Sequence, residues 1–210
     1  MNYFFWITAG YLSGSIMYAY LLPMLIKHID IRSLSDDGNP GTANAFKHAG
    51  VSVGICVICC ELLKGFFPVW LACRRLNMEK MIFALVMASP VLGHAYPLFW
   101  KGRNGGKSIA VSFGVLLGFL PDLRLALLLA AYYLLFSLIV IIRPHLLRSV
   151  LTYLCYCVSC LLLGSRTSIV AGCLLISAIV IWKHLVKYKG EKISISFLRP
   201  QKARPDGLAE

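Results

Sequence analysis

Seven apolar stretches recur along this chain, at residues 3–26, 49–73, 81–100, 108–120, 123–142, 149–163 and 167–182, separated by short polar breaks. A helix needs about 20 apolar residues to cross the hydrocarbon of a bilayer. The pattern therefore predicts an all-α integral membrane protein of about seven transmembrane helices. The sixth and seventh stretches are near the minimum length. The fourth is short and ends at Pro121 and Asp122, which predicts a tilted, partly protein-buried or incompletely spanning helix. A water-soluble alternative is excluded by composition, because 59% hydrophobic and 14% charged residues with a mean hydropathy of +0.74 cannot close around one core.

Charge placement sets the expected orientation. Of the 21 Lys and Arg residues, Lys64 lies inside an apolar stretch, and Arg74, Arg75, Lys80, Arg124 and Arg166 fall in one set of connections. The remaining fifteen, from Lys27 to Arg204, fall in the other set and in the C-terminal tail. The positive-inside bias then places the N-terminus outside and the C-terminus in the cytoplasm. Met1–Gly10 carries no charge and no small-residue cleavage site follows, so the first helix is expected to be retained. One multi-pass membrane domain is predicted over 1–187, followed by a basic cytoplasmic tail, 188–210. The tail reads as a topology signal and a contact for anionic membrane lipids, not as a nucleic-acid arm.

The eight cysteines include two pairs one helical turn apart, Cys56 with Cys59 and Cys157 with Cys160. They sit in apolar stretches without histidines at ligand spacing, so they read as small hydrophobes and no metal is expected. Gly10 with Gly14, Gly50 with Gly54, and Gly114 with Gly118 place small residues one turn apart, where helices can approach closely.

Polarity collects in two connections predicted to share the cytoplasmic face. The first contains Asp37, Gly38, Asn39, Pro40, Gly41, Thr42 and Asn44. Asn-Pro-Gly is a turn signal that needs no function, but here it is accompanied by side-chain donors and acceptors. The second contains Arg103, Asn104, Gly105, Gly106, Lys107 and Ser108, just before the fourth helix. Successive glycine amides, a helix N-terminus and a mobile ammonium together make an anion pocket; a flexible turn with a topology-setting lysine is the alternative. The spacing is not that of a Walker loop. Glu61 and Lys64 lie three residues apart within the second helix, where charges are costly and are expected to face each other. They read either as a structural ion pair or as a support that orients the two loops. His94, in Gly93-His94-Ala95-Tyr96-Pro97, reads as a general base, a cationic partner of phosphate or a hydrogen-bonded interfacial residue. His28, His48, His145 and His184 read as interfacial.

Four of these segments, Asp37–Asn44, Glu61–Gly65, Gly93–Pro97 and Gly105–Val111, resemble in order and spacing the motifs of the bacterial membrane acyl-phosphate:glycerol-3-phosphate acyltransferases. The resemblance covers roughly the first 120 residues. It implies an enzyme of the bacterial inner membrane that moves a fatty acyl group from acyl phosphate to glycerol 3-phosphate without a cofactor, giving lysophosphatidate for phospholipid synthesis. On that reading His94 and Lys107 are the catalytic candidates. Gly38, Asn39, Gly41, Asn44, Arg103, Gly105, Gly106 and Ser108 hold phosphates, and Asp37, Glu61 and Lys64 support them. The sequence departs from the family at Asp37 (Ser), Ala43 (Thr), Glu61 (Asp), Ser108 (Gly) and Val111 (Thr). The family's C-terminal motif is only faintly echoed by Lys183, His184, Lys187, Gly190 and Glu191. An organic-phosphate transporter or flippase, and a paralogue with another acceptor or no activity, are the alternatives.

Overall fold

The computed structural model describes residues 2–35, 38–99, 105–164, 166–188 and 190–197. Each of the seven apolar stretches contains a helix. The elements are α1 (Tyr3–Ser15), α2 (Tyr18–Lys27), α3 (Ile31–Leu34), α4 (Thr42–Ala49), α5 (Val51–Arg75), α6 (Phe83–Ala95), α7 (Ile109–Leu117), α8 (Arg124–Leu134), β1 (Val140–Arg143), α9 (His145–Leu162), α10 (Thr167–Leu185) and β2 (Ser194–Phe197). Among the described residues four segments are long and apolar enough to cross a membrane: Tyr3–Lys27, Val51–Arg75, His145–Leu162 and Thr167–Leu185. Phe83–Ala95 and Arg124–Ile139 are shorter apolar helices. At 1.5 Å per residue α7 reaches only about 14 Å, roughly half the hydrocarbon thickness.

Two features depart from the sequence reading. The fold is not purely helical, because β1 and β2 pair antiparallel, with Val140 opposite Phe197 and Arg143 opposite Ser194. Val140, Ile141 and Ile142 are the β-branched run that favours this ribbon. The first apolar stretch, expected as one helix, is interrupted between Ser15 and Tyr18. The polar run Ser13-Gly14-Ser15 precedes that break, and Ser15 Oγ donates back to Tyr11 O at 2.8 Å, a side-chain bond that competes with the helical ladder.

Side-chain contacts fix the relative directions. Tyr3 OH donates to Asn77 O at 2.9 Å and Ser13 Oγ donates to Lys64 O at 2.9 Å, so α1 and α5 run antiparallel. Gly10 lies against Ser89 and Pro90, Gly14 against the Pro90 backbone, and Ser15 Oγ accepts from Leu98 N at 3.2 Å, so α6 runs parallel to α1. Hence α5 starts at the end of the bundle where α6 finishes. The two polar connections emerge at that same end.

The glycine pairs act as the pattern suggests, with one exception. Gly54 faces Phe46, Gly114 faces the Leu62 backbone and Gly118 faces Val69. At Gly50 an added Cβ would meet nothing within 4 Å; at φ 90° this residue forms the hinge between α4 and α5. A main core joins Val69, Phe83, Met87, Val115, Leu129, Tyr153 and Ile176. A smaller cluster joins Ala19, Ile31, Ala45, Ala49, Val53 and Val57, which seats α4 on α2 and on the first turns of α5. Large apolar side chains such as Leu127 and Leu161 remain outward, as a lipid-facing surface requires.

Candidate active site

The site is organised on the face of α5 that buries Val53, Val57, Glu61, Lys64 and Pro68, a stripe at helical spacing. Glu61 and Lys64 are 1% and 4% exposed, in surroundings where an unpaired charge would be costly. They satisfy each other and the broken first segment together. Lys64 Nζ lies 2.7 Å from Glu61 Oε2 and donates to Ile16 O at 2.6 Å. Glu61 Oε1 accepts from Ala19 N at 3.2 Å. Backbone groups freed by the interruption are thus bonded by the ion pair, which is how irregular backbone survives within a membrane bundle. Glu61 and Lys64 thus face each other, as charges inside an apolar stretch are expected to, and the pair reaches His94.

Lys64 Nζ makes its third contact with His94 Nδ1, at 2.8 Å. An ammonium carries donors alone, so Nδ1 accepts and the ring proton resides on Nε2. Glu61 Oε2 is 3.1 Å from the same Nδ1; the ammonium between them serves both acceptors. His94 is buried, and its Nε2 is packed against Gly106, where any Cβ would collide with it. A Cβ at Gly105 would strike the carbonyls of His94 and Ala95. These two glycines let the second loop fold flat onto the last turn of α6.

Hydrogen bonds hold the loop there. Gly106 N donates to His94 O at 3.2 Å, so this amide, expected to cup an anion, instead anchors the loop. Ser108, expected to hold phosphate, is buried at φ 63°, donates from Oγ to Val91 O at 3.2 Å, and its carbonyl accepts from Ser112 Oγ at 2.8 Å. Its hydroxyl braces the start of α7 against α6. Lys107 sits half-buried between these two anchors at the N-terminal end of α7, where the helix dipole favours an anion.

The first loop is built locally. Gly38 adopts φ 62°, Gly41 N donates to Asn39 O at 2.8 Å, and Asn44 Nδ2 donates to the same carbonyl at 2.8 Å. Asn39 and Pro40 are buried, and α4 begins directly after Gly41. Upstream, Asp30 Oδ1 accepts from Arg32 Nε at 2.8 Å, and this hydrogen bond holds the guanidinium above its ordinary value. α5 therefore carries the first loop, through α4, on its opening turns, and the second loop, through His94, at its middle. Asp37 and Arg103 lie outside the described residues.

A third contribution was not among the sequence candidates. Lys183, 5% exposed near the end of α10, donates from Nζ to Ala95 O at 3.0 Å and lies 4.7 Å from the Tyr96 ring centroid. It joins the same turn of α6 that carries His94. His184, expected at the interface, is fully buried; its Nδ1 is 2.8 Å from Val180 O and its ring stacks on His145 at 6.5 Å. The signal available in the sequence was the faint echo of the family's C-terminal motif at Lys183 and His184.

Comparison with known proteins decides the family. Residues 4–190 match the family model described as glycerol-3-phosphate acyltransferase. The chain belongs to the glycerol-3-phosphate acyltransferase family. A family relative in Bacillus cytotoxicus is 34% identical over 179 residues, covering 85% of each chain. One in Myxococcus xanthus is 38% identical over 120 residues, spanning 57% of this chain and 62% of the relative; one in Thermotoga petrophila is 37% identical over 116 residues, spanning 55% and 58%. The chain thus spans about three fifths of the length of these last two. Two solved structures of PlsY (YgiH), an integral membrane glycerol 3-phosphate acyltransferase, share the fold. The glycerol 3-phosphate form has a TM-score of 0.76 and 27% identity over 88% of both chains. The lysophosphatidic acid form has a TM-score of 0.72 and 25% identity over 87% of both. Family membership and the helical bundle make this a multi-pass membrane protein, and they do not favour the organic-phosphate carrier.

Proposed function

We propose that this protein transfers a fatty acyl group from acyl phosphate to a hydroxyl of glycerol 3-phosphate, producing lysophosphatidate and inorganic phosphate. The observation that carries the reading is the second loop, folded onto His94 over the Glu61–Lys64 pair, with Lys107 at the N-terminus of α7. This puts a lysine at a helix N-terminus, at the same end of the bundle as the first loop, as a reaction between two phosphate-bearing substrates requires. The whole apolar pattern fits seven crossing helices with the N-terminus outside and the C-terminus in the cytoplasm of a bacterial inner-membrane protein, with one membrane domain over 1–187 and a basic tail over 188–210.

In the reaction the substrate hydroxyl attacks the acyl carbon, the new ester C–O bond forms, and the bond from that carbon to the phosphate oxygen breaks. Phosphate is already a good leaving group, so the protein's task is to hold both anions and align the hydroxyl. Lys107, Arg103 and the Gly105 amide take one phosphate. Gly38, Asn39, Gly41 and Asn44, with Asp37 beside them, shape the place of the other. Gly106 and Ser108 fix the second loop, and Glu61 and Lys64 fix His94. With Nδ1 accepting from Lys64, His94 presents an N–H to the site and does not take the hydroxyl proton. That proton goes to the departing phosphate. The test is purified protein in detergent supplied with palmitoyl phosphate and glycerol 3-phosphate, following lipid product and released phosphate together. Lys107→Ala should lose turnover by about 10²-fold or more while the protein stays folded; unchanged turnover removes the lysine from the site.

A further inference from the structure

The chain past α10 carries a pattern that the acyl transfer does not use. Lys192-Ile193-Ser194-Ile195-Ser196-Phe197 alternates polar and apolar residues, the period of a strand with one covered face. Gly190 at φ 78° and a bond from Tyr188 OH to Glu191 O at 3.1 Å turn the chain after α10, and β2 then pairs with β1. Directly opposed residues share a face. Phe197 therefore joins Val140, and Ile195 joins Ile142, on the apolar side, while Ser196 with Ile141 and Ser194 with Arg143 take the other. Ile142 is 4% exposed, yet Ile195 opposite it is 60% and Phe197 68% exposed. β1 is thus seated on the bundle, and β2 overhangs it with an apolar side uncovered.

We propose that β2 docks on a bilayer surface containing anionic phospholipid, with Ile193, Ile195 and Phe197 at the level of the headgroups and Arg143 and Lys192 beside lipid phosphates. The position of the ribbon supports this. β1 lies between the apolar helix Arg124–Ile139 and α9, and β2 follows α10, so the ribbon sits where apolar helices end. Trp182, exposed in the last turn of α10, is a side chain suited to the bilayer interface. Charge complementarity selects the lipid. From residue 183 to residue 204 the sequence carries seven cations and one carboxylate, that of Glu191, and a basic run directly after a membrane helix favours anionic headgroups. Arg143 and Lys192 are exposed at the ribbon itself. An apolar side combined with cations on the polar side is what holds an amphipathic element flat in the interface. The docking requires no acyl transfer, so it stands or falls apart from the reaction above.

The experiment is amide hydrogen exchange read by mass spectrometry on the full chain, one copy per lipid nanodisc. Discs of phosphatidylcholine alone are compared with discs in which about a quarter of the lipid is phosphatidylglycerol. The β2 amides should exchange about tenfold more slowly in the anionic discs. Joint Arg143→Gln and Lys192→Gln should bring the two lipids within about twofold of each other. Joint Ile195→Ser and Phe197→Ser should do the same by removing the apolar contact. The amides of α5 should match the wild type in every case, which reports an intact bundle. Because the serine variant can also fray the strand, the glutamine variant, which leaves the apolar side whole, is the deciding one. Equal exchange of the wild-type β2 amides in both lipids overturns the proposal, and so does a glutamine variant that keeps the full difference. Slow exchange that appears only when two copies share a disc also overturns it, since the overhanging strand then meets a second chain instead of lipid.

Discussion

The two polar loops at one end of the bundle are built by different means. The first loop closes on itself: Gly41 N and Asn44 Nδ2 share the Asn39 carbonyl, and no residue in that set is more than five positions from another. The second loop has little shape of its own. Gly105 and Gly106 adopt their path because the turn of α6 bearing His94 lies beneath them, and His94 is held in turn by a lysine 30 residues away. A site assembled from one local and one tertiary loop should respond unequally to damage. Disturbance of the α5 ion pair should reach the second loop first.

The largest expected effect follows from that asymmetry. Lys64→Met leaves Glu61 buried without its cation and strips Ile16 O of its donor, so thermal unfolding in detergent should show a loss of about 3–5 kcal/mol. Combining it with Glu61→Leu sharpens the point. A buried pair that only balances itself is often replaced by apolar residues at no cost. Here the double variant should stay about 2 kcal/mol or more below the wild type, because Ile16 O and Ala19 N both lose partners. Full recovery would mean that the pair does not support the helix break.

Gly106→Ala comes next. A methyl group there meets His94 Nε2, so the loop must lift, and turnover should fall about 10²-fold, the usual result of displacing reacting groups by about 1 Å. His94→Gln distinguishes donor from base. Glutamine can accept from Lys64 and still offer an N–H to the site, so kcat should drop by less than about tenfold; a general base would be missed by about 10²–10⁴. Asn44→Ala is the smallest change. It removes one local hydrogen bond from the first loop, worth about 1 kcal/mol, and should leave the response of the second loop to Gly106→Ala unaltered in a double-variant cycle.

Much of this was legible in the residue order. Apolar stretches marked the helices, glycines marked their contacts, and Glu61 with Lys64 stood out because charge inside an apolar stretch demands a partner. The bonds that Gly106 and Ser108 make to α6 could not be read from the residue order, because a glycine that serves an anion and a glycine that avoids a neighbouring ring look alike in a sequence. The interruption of the first helix was missed for a related reason. Residues 3–26 are predominantly apolar, and the cue Ser13-Gly14-Ser15 is weak until Lys64 and Glu61 are seen to bond the freed backbone.

The sequence by itself determined that the chain lives in lipid as a multi-pass bundle and which loops carry polarity, since transfer into hydrocarbon is a sum over neighbouring residues. Only the tertiary structure decided where the first helix breaks, that Lys64 and Glu61 meet His94 at one ring nitrogen, and that Lys183 joins a turn 88 residues upstream. Those outcomes depend on satisfying individual donors and acceptors across helices. Such pairings are set by the distance between segments in space, which local hydropathy does not encode.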